Sequence, residues 1–181
     1  MDGGKPLVSA LAMLRSHTKH HHDSVDEAFS SFDLCDEDSY RAFLTAHSRV
    51  LPVMEAIMAR LKALPRVRLR SPLLAADMAA MGQELPPPMP YAGSTSGAAG
   101  WGILYVVEGS RLGGGFLATR VGNGLPKSYL AARHEPGEWR AVGQAIEDQA
   151  SQHGTSWITE AVKAARACFD LYQSAAEQGG R

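Results

Sequence analysis

Cysteine is scarce in this 181-residue chain: only Cys35 and Cys168 occur, in no C-x-x-C or other metal-type spacing. A disulfide framework and a cysteine metal cluster therefore have no basis, and a single bridge is allowed but not required. Net charge is almost missing too. Eighteen basic and nineteen acidic residues leave a formal charge of -1, without the basic excess of a nucleic-acid or anionic-membrane binder. No apolar run is long enough for a bilayer, because the longest uncharged stretch, Leu85 to Val107, is broken by four prolines and several glycines. The opening Met1 to Pro6 lacks the basic and apolar stretches of a secretory signal, which points to the cytoplasm. The P-loop, dinucleotide and H-E-x-x-H patterns are also missing, and no histidine has a glutamate three residues before it. Neither zinc nor flavin is expected, and a carboxylate-bridged di-iron bundle is excluded.

What is present is core material: 45% of the residues are hydrophobic and 20% charged, which makes a soluble globular chain of about one domain. Leu7, Leu11, Leu14, Val25 and Phe29 recur at helical spacing in a first helix over 7–29. Asp36 to Ser39 is cap-competent, and Phe43, Val50, Met54, Ile57, Leu61 and Leu64 continue a long second helix with a kink at Pro52. Ser71-Pro72 starts a third, over 73–85, and Pro86 to Pro90 enforces an extended connection. Helices are expected again over 101–119, 138–152 and 155–177, with a loop at Gly122, Gly124 and Pro126. The expectation is a single all-α domain spanning 1–181, a bundle of six to seven helices, frayed at 1–6 and 179–181.

Two segments stand out chemically. Four of the seven histidines, His17, His20, His21 and His22, fall in the first helix. At 100° per residue His20 lies opposite the apolar stripe, while His21 and His22 flank it on either side, so periodicity does not choose between them. Such residues make a solvated polar patch, or one of them ligates a metal or heme iron, with Asp26 one turn after His22 able to fix the tautomer. The second segment is glycine-rich. Helical glycine costs about 0.5–1 kcal/mol against alanine, so Gly109, Gly113, Gly114 and Gly115 need a compensating contact. Close helix packing would supply one, and a flat ligand lying on the backbone would supply another.

Leu14-Arg15-Ser16-His17-Thr18-Lys19-His20-His21-His22-Asp23-Ser24-Val25-Asp26 resembles the first-helix pattern of heme oxygenases, whose histidine is the proximal iron ligand. Tyr105-Val106-Val107-Glu108-Gly109-Ser110-Arg111-Leu112-Gly113-Gly114 resembles the glycine-kinked distal helix of the bacterial, bacteriophytochrome-associated branch. The resemblance implies heme b as both substrate and cofactor, cleaved with dioxygen to biliverdin, carbon monoxide and ferrous iron. It selects His22 as iron ligand, with His21 second, and Asp26 as its supporting carboxylate. Gly109, Ser110 and Gly113 become the catalytic distal residues. Arg15, Lys19, Arg111, Lys163 and Arg166 become candidate cations for the propionates. Tyr105, Gly114, Phe116 and Phe169 complete the expected heme contacts, while His47, on the stripe of the second helix, reads as a core residue. Ser110 stands where many members have an aspartate, and Gly115 where a glutamine is common; these departures leave a non-catalytic heme-binding or heme-sensing protein as the alternative. Electrons would come from an external ferredoxin or reductase, and a bacteriophytochrome would receive the product.

Overall fold

The computed structural model describes residues 9–95 and 97–179, so Leu7 and the expected frayed segment 1–6 lie outside the described residues, as do 180 and 181. Every regular element among them is helical: α1 (Ala10–Ser30), α2 (Glu37–Ser48), α3 (Leu51–Ala59), α4 (Ser71–Ala80), α5 (Ala98–Ala118), α6 (Ser128–Ala131), α7 (Glu138–His153) and α8 (Thr155–Gly179). Seven of these are full helices and α6 is a single turn, which agrees with the all-α expectation. Gly179, expected in the tail, is the last residue of α8, and a Cβ on it would sit 3.5 Å from the Ala42 carbonyl oxygen.

Local chemistry explains where sequence and structure differ. The expected long second helix is two helices. Pro52 has no N–H to give the Ser48 carbonyl and its ring collides there, so the chain turns at Arg49 and Val50 and restarts with Pro52 in the first turn of α3. That helix ends at Ala59, before Leu61 and Leu64. α4 stops at Ala80 rather than Leu85, because Gly82 takes a left-handed φ of 69° and Gln83 N–H returns to the Met78 carbonyl at 2.9 Å. Its N-cap is Arg70, and the Ser71 hydroxyl is spent on Glu55. Asp36 does cap α2, accepting the Ser39 N–H at 2.8 Å.

α5 is the central element, with 13 of its 21 residues buried. A helix this apolar on all sides needs neighbours all round it. It packs along α8, which also receives α1 and α2, while α3, α6 and α7 close the other sides of α5. Leu14, Tyr40, Leu104, Ile146, Ala165 and Cys168 belong to one continuous core. The crossing of α5 over α8 is a backbone contact. A Cβ on Gly102 would lie 2.0 Å from the Ala161 carbonyl oxygen and 3.0 Å from the Ala165 nitrogen. Gly102→Ala therefore lowers stability by at least about 1–3 kcal/mol, the cost of an overpacked core, and lowers the urea midpoint accordingly. A midpoint equal to that of the parent would refute this contact.

Candidate functional site

α1 presents two flanks on either side of its buried line of Ala10, Leu14 and Thr18. One carries Arg15, Lys19, His22 and Asp26; the other carries Met13, His17 and His21. The first faces α5 and α7. Tyr105 of α5 lies against Thr18 and Arg15: burial raises its phenol pKa, while the Thr18 hydroxyl and the Arg15 charge oppose the rise. Leu11, on the same side, reaches α7, where a Cβ on Gly143 would be 2.8 Å from its Cδ1. The ring of Trp139, also on α7, lies 3.7 Å from the place of a Cβ on Gly109. His22 Nδ1 stands 3.2 Å from Asp26 Oδ2, and its ring meets Phe169 of α8 edge-on at 5.7 Å between centroids. Lys19 is engaged with Asp23 at 2.5 Å, which leaves Arg15 as the cation beside Tyr105.

The second flank forms a separate groove with α8, lined by His17, His21, Lys163 and Arg166. Arg166 Nε donates to the His17 carbonyl oxygen at 2.9 Å. Arg166, expected to serve the same ligand as His22, thus stands on the other flank, and His21 is drawn to Asp170 of α8 at 2.7 Å.

Beyond Tyr105, the glycine segment of α5 also has two faces. Leu112, Gly113 and Phe116 form an uncovered apolar patch one turn beyond Gly109, which lies beside Trp139: Leu112 and Phe116 are 55% and 68% exposed, and a Cβ on Gly113 would meet nothing within 4 Å. Large exposed apolar side chains grouped around open backbone mark a binding surface for something flat and apolar. The other face is packed. A Cβ on Gly114 would lie 2.9 Å from the Leu130 carbonyl oxygen, so this glycine serves the contact with α6 and is not a ligand contact as expected. One on Gly115 would meet the Arg133 guanidinium, which donates to the Gly115 carbonyl at 3.2 Å.

Arg111 is likewise corrected. It is 3% exposed, ion-paired with Glu108 at 3.2 Å, and bonded to the carbonyl oxygens of Arg68 and Ala132, so its guanidinium is not free for a carboxylate ligand. Glu108 also receives His134 Nε2 at 3.0 Å. Ser110 is held from behind. Its hydroxyl accepts from Arg70 Nη2 at 2.6 Å and donates to the Val107 carbonyl, which the same nitrogen also reaches at 2.7 Å.

Sequence reasoning missed Arg70, together with Glu55, which accepts the Arg70 and Ser71 N–H groups, and Asp77, which accepts those of Ser128 and Tyr129. The signal was available: Glu55 and Asp77 are the lone charges of apolar helices, positions that are costly unless hydrogen-bonded.

His47 is the core histidine expected of it. Phe29 and Phe43 lie 4.5 Å from its ring, Tyr172 5.7 Å, and Tyr129 supplies a 2.8 Å hydrogen bond to Nδ1. Burial, helped by the Arg70 charge, pushes its pKa down to about 3. The unfolded chain protonates this histidine below pH 6.5 and the folded chain does not until about 3, so its contribution to stability is complete above 6.5 and declines through that window. The slope is at most about 1.4 kcal/mol per pH unit, and His47→Gln flattens it in urea unfolding at pH 7 and pH 5. An equal acid loss in both proteins would refute this assignment.

No family model matches the chain. It is 31% identical over 149 residues to a heme oxygenase of Xanthomonas campestris pv. campestris (strain 8004), an alignment covering 74% of this chain and 86% of that protein. Its fold matches the crystal structures of the NO- and CO-bound heme oxygenase from Neisseria meningitidis with a TM-score of 0.79 and 25% identity, over 96% of this chain and 92% of that one. The length covered, the identity and the fold agree, and the chain belongs to the heme oxygenase family.

Proposed function

We propose that this heme oxygenase seats heme b between the Arg15–His22–Asp26 flank of α1 and the Gly109–Leu112–Gly113–Phe116 stripe of α5, with His22 Nε2 on the iron. The observation that carries this reading is the pairing of an uncovered apolar patch around the open backbone of Gly113 with a histidine whose Nδ1 stands 3.2 Å from a carboxylate. Heme, as substrate and cofactor together, supplies the iron at which dioxygen is reduced, and its ring is opened to biliverdin with loss of carbon monoxide and ferrous iron.

The residues have distinct tasks. Asp26, whose Oδ2 stands 3.2 Å from Nδ1, is the acceptor that would take the Nδ1 hydrogen, leave the Nε2 lone pair for iron and raise ligand basicity. Phe169 braces the His22 ring. Arg15 and Tyr105 stand together at one end of the cleft, where a guanidinium and a phenol match a pair of propionates. Gly109 and Gly113 let a macrocycle approach the backbone, and Phe116 and Leu112 cover its apolar edge. Ser110, fixed by Arg70, holds the helix in place behind the reacting face. No nucleotide- or flavin-binding pattern is present, so electrons come from a separate ferredoxin or reductase. The likeness of Tyr105 to Gly114 to the bacteriophytochrome-associated branch supports a phytochrome as the recipient of biliverdin. No helix among the described residues is long and apolar enough to cross a membrane.

Titration of the heme-free protein with hemin tests the ligand. A Soret band is expected in the parent and in His21→Ala and not in His22→Ala, and ascorbate in air bleaches it to a biliverdin spectrum. Loss of the band in His21→Ala alone transfers the ligand to the other flank; a stable band that never bleaches favours a heme carrier. Gly113→Ala separates ligand from packing. With nothing near its Cβ it stabilises the heme-free helix by about 0.5–1 kcal/mol. The same methyl group weakens hemin binding, so thermal stability and hemin affinity move in opposite directions. If both rise, the heme does not lie on Gly113.

A further inference from the structure

The histidines of α1 that the heme cleft does not use are built for a different ligand. His17 and His21, one turn apart, line a groove of about 660 Å³ between α1 and α8 with Met13, Lys163, Arg166 and Asp170. Each ring has one nitrogen committed to a group that can only accept. His17 Nδ1 is 2.9 Å from the Met13 carbonyl oxygen, with the Ser16 hydroxyl, which donates to the same carbonyl, 3.1 Å away. His21 Nδ1 is 2.7 Å from Asp170 Oδ1. A neutral imidazole carries its hydrogen on one nitrogen and a lone pair on the other, so acceptors at both Nδ1 atoms leave both lone pairs on Nε2. Metal-ligating histidines are oriented in this way, with the second nitrogen donating to a carbonyl or carboxylate. The i,i+4 spacing puts both on one face of the helix, with Cβ atoms about 5–6 Å apart.

We propose that His17 and His21 form a solvent-open site for a divalent first-row transition-metal ion, held by the two Nε2 atoms and completed by water. Imidazole suits copper, nickel and zinc, and copper leads in affinity. Among the described residues no group of three or more histidine, cysteine or carboxylate side chains could hold a metal, so the ion here has two protein ligands and exchanges freely. Asp170 orients His21, and Arg166 Nε is already held by the His17 carbonyl. Lys163 is exposed, and its flexible stem lets the ammonium turn to solvent. The site does not depend on where heme binds.

The test is calorimetric titration of the untagged, heme-free full chain with CuCl2 and with ZnCl2, with circular dichroism to confirm that each variant is helical. One ion per chain is expected, tighter for copper, with affinity reduced more than tenfold in either His17→Gln or His21→Gln and unchanged in His22→Ala. Asp170→Asn, which keeps the shape but weakens the acceptor, lowers affinity by about 10-fold or more. Absence of binding in the parent, binding that survives the double variant His17→Gln/His21→Gln, or binding lost in His22→Ala overturns the proposal.

Discussion

The close approach of two backbones, Gly102 of α5 on Ala161 of α8, sets the geometry of the molecule. No side chain fits between them, so the crossing is fixed more narrowly than interdigitating side chains would fix it. α1 packs along the same α8, which makes that helix the shared reference for both walls of the proposed heme cleft. The distance between the His22 flank and the glycine stripe is therefore set through a third element. A bound macrocycle meets a cleft whose width was decided elsewhere, and pre-organisation of this kind spares the ligand the cost of ordering its own pocket.

Behind α5 the chain runs through an irregular segment, 60–70, that has no hydrogen-bond ladder of its own. Buried charge takes its place. Glu55 accepts backbone N–H groups at the start of α4, Asp77 those at the start of α6, Arg111 reaches carbonyl oxygens on both sides, and Arg70 reaches into α5 at Val107. Buried backbone groups must find partners, and a carboxylate or guanidinium serves several at once. Removing one member of such a set leaves its partner charged, buried and alone, a loss of about 3–5 kcal/mol. Placing these groups on one side of α5 also leaves the other side bare at Gly113.

Much of this was legible in the sequence because its signals are local. Apolar spacing located α1 and α8, α5 reads as a helix from its all-helical surroundings although 103–107 has strand propensity, and the cap at Asp36 is a short-range hydrogen bond. Pro52 was visible, but a kink and a break differ only in whether the next turn rejoins the same axis, which tertiary packing decides. At the site, the motifs located both walls but could not divide the glycines: Gly113 and Gly114 are neighbours in the chain, yet one faces open space and the other the Leu130 carbonyl. Arg111 looked free for the same reason, since Arg68 and Ala132, whose carbonyls occupy it, are distant in sequence.

The histidines carry the same lesson in sharper form. His17, His21 and His22 all have Nδ1 beside an acceptor, from Met13, Asp170 and Asp26 respectively, so tautomer control does not distinguish an iron ligand from the other two. All three also touch or face α8, where His22 meets Phe169, so what distinguishes them is the company on each flank. His22 shares its flank of α1 with Arg15, beside Tyr105 of α5, and with Leu11, against α7; His17 and His21 look onto Lys163 and Arg166 of α8, with no glycine surface to receive a flat ring. A rotation of 100° between consecutive residues thus puts His21 and His22 on different flanks of one helix. The acceptors keep them separate, because Asp26 lies on the same helix and moves with His22, whereas Asp170 ties His21 to α8.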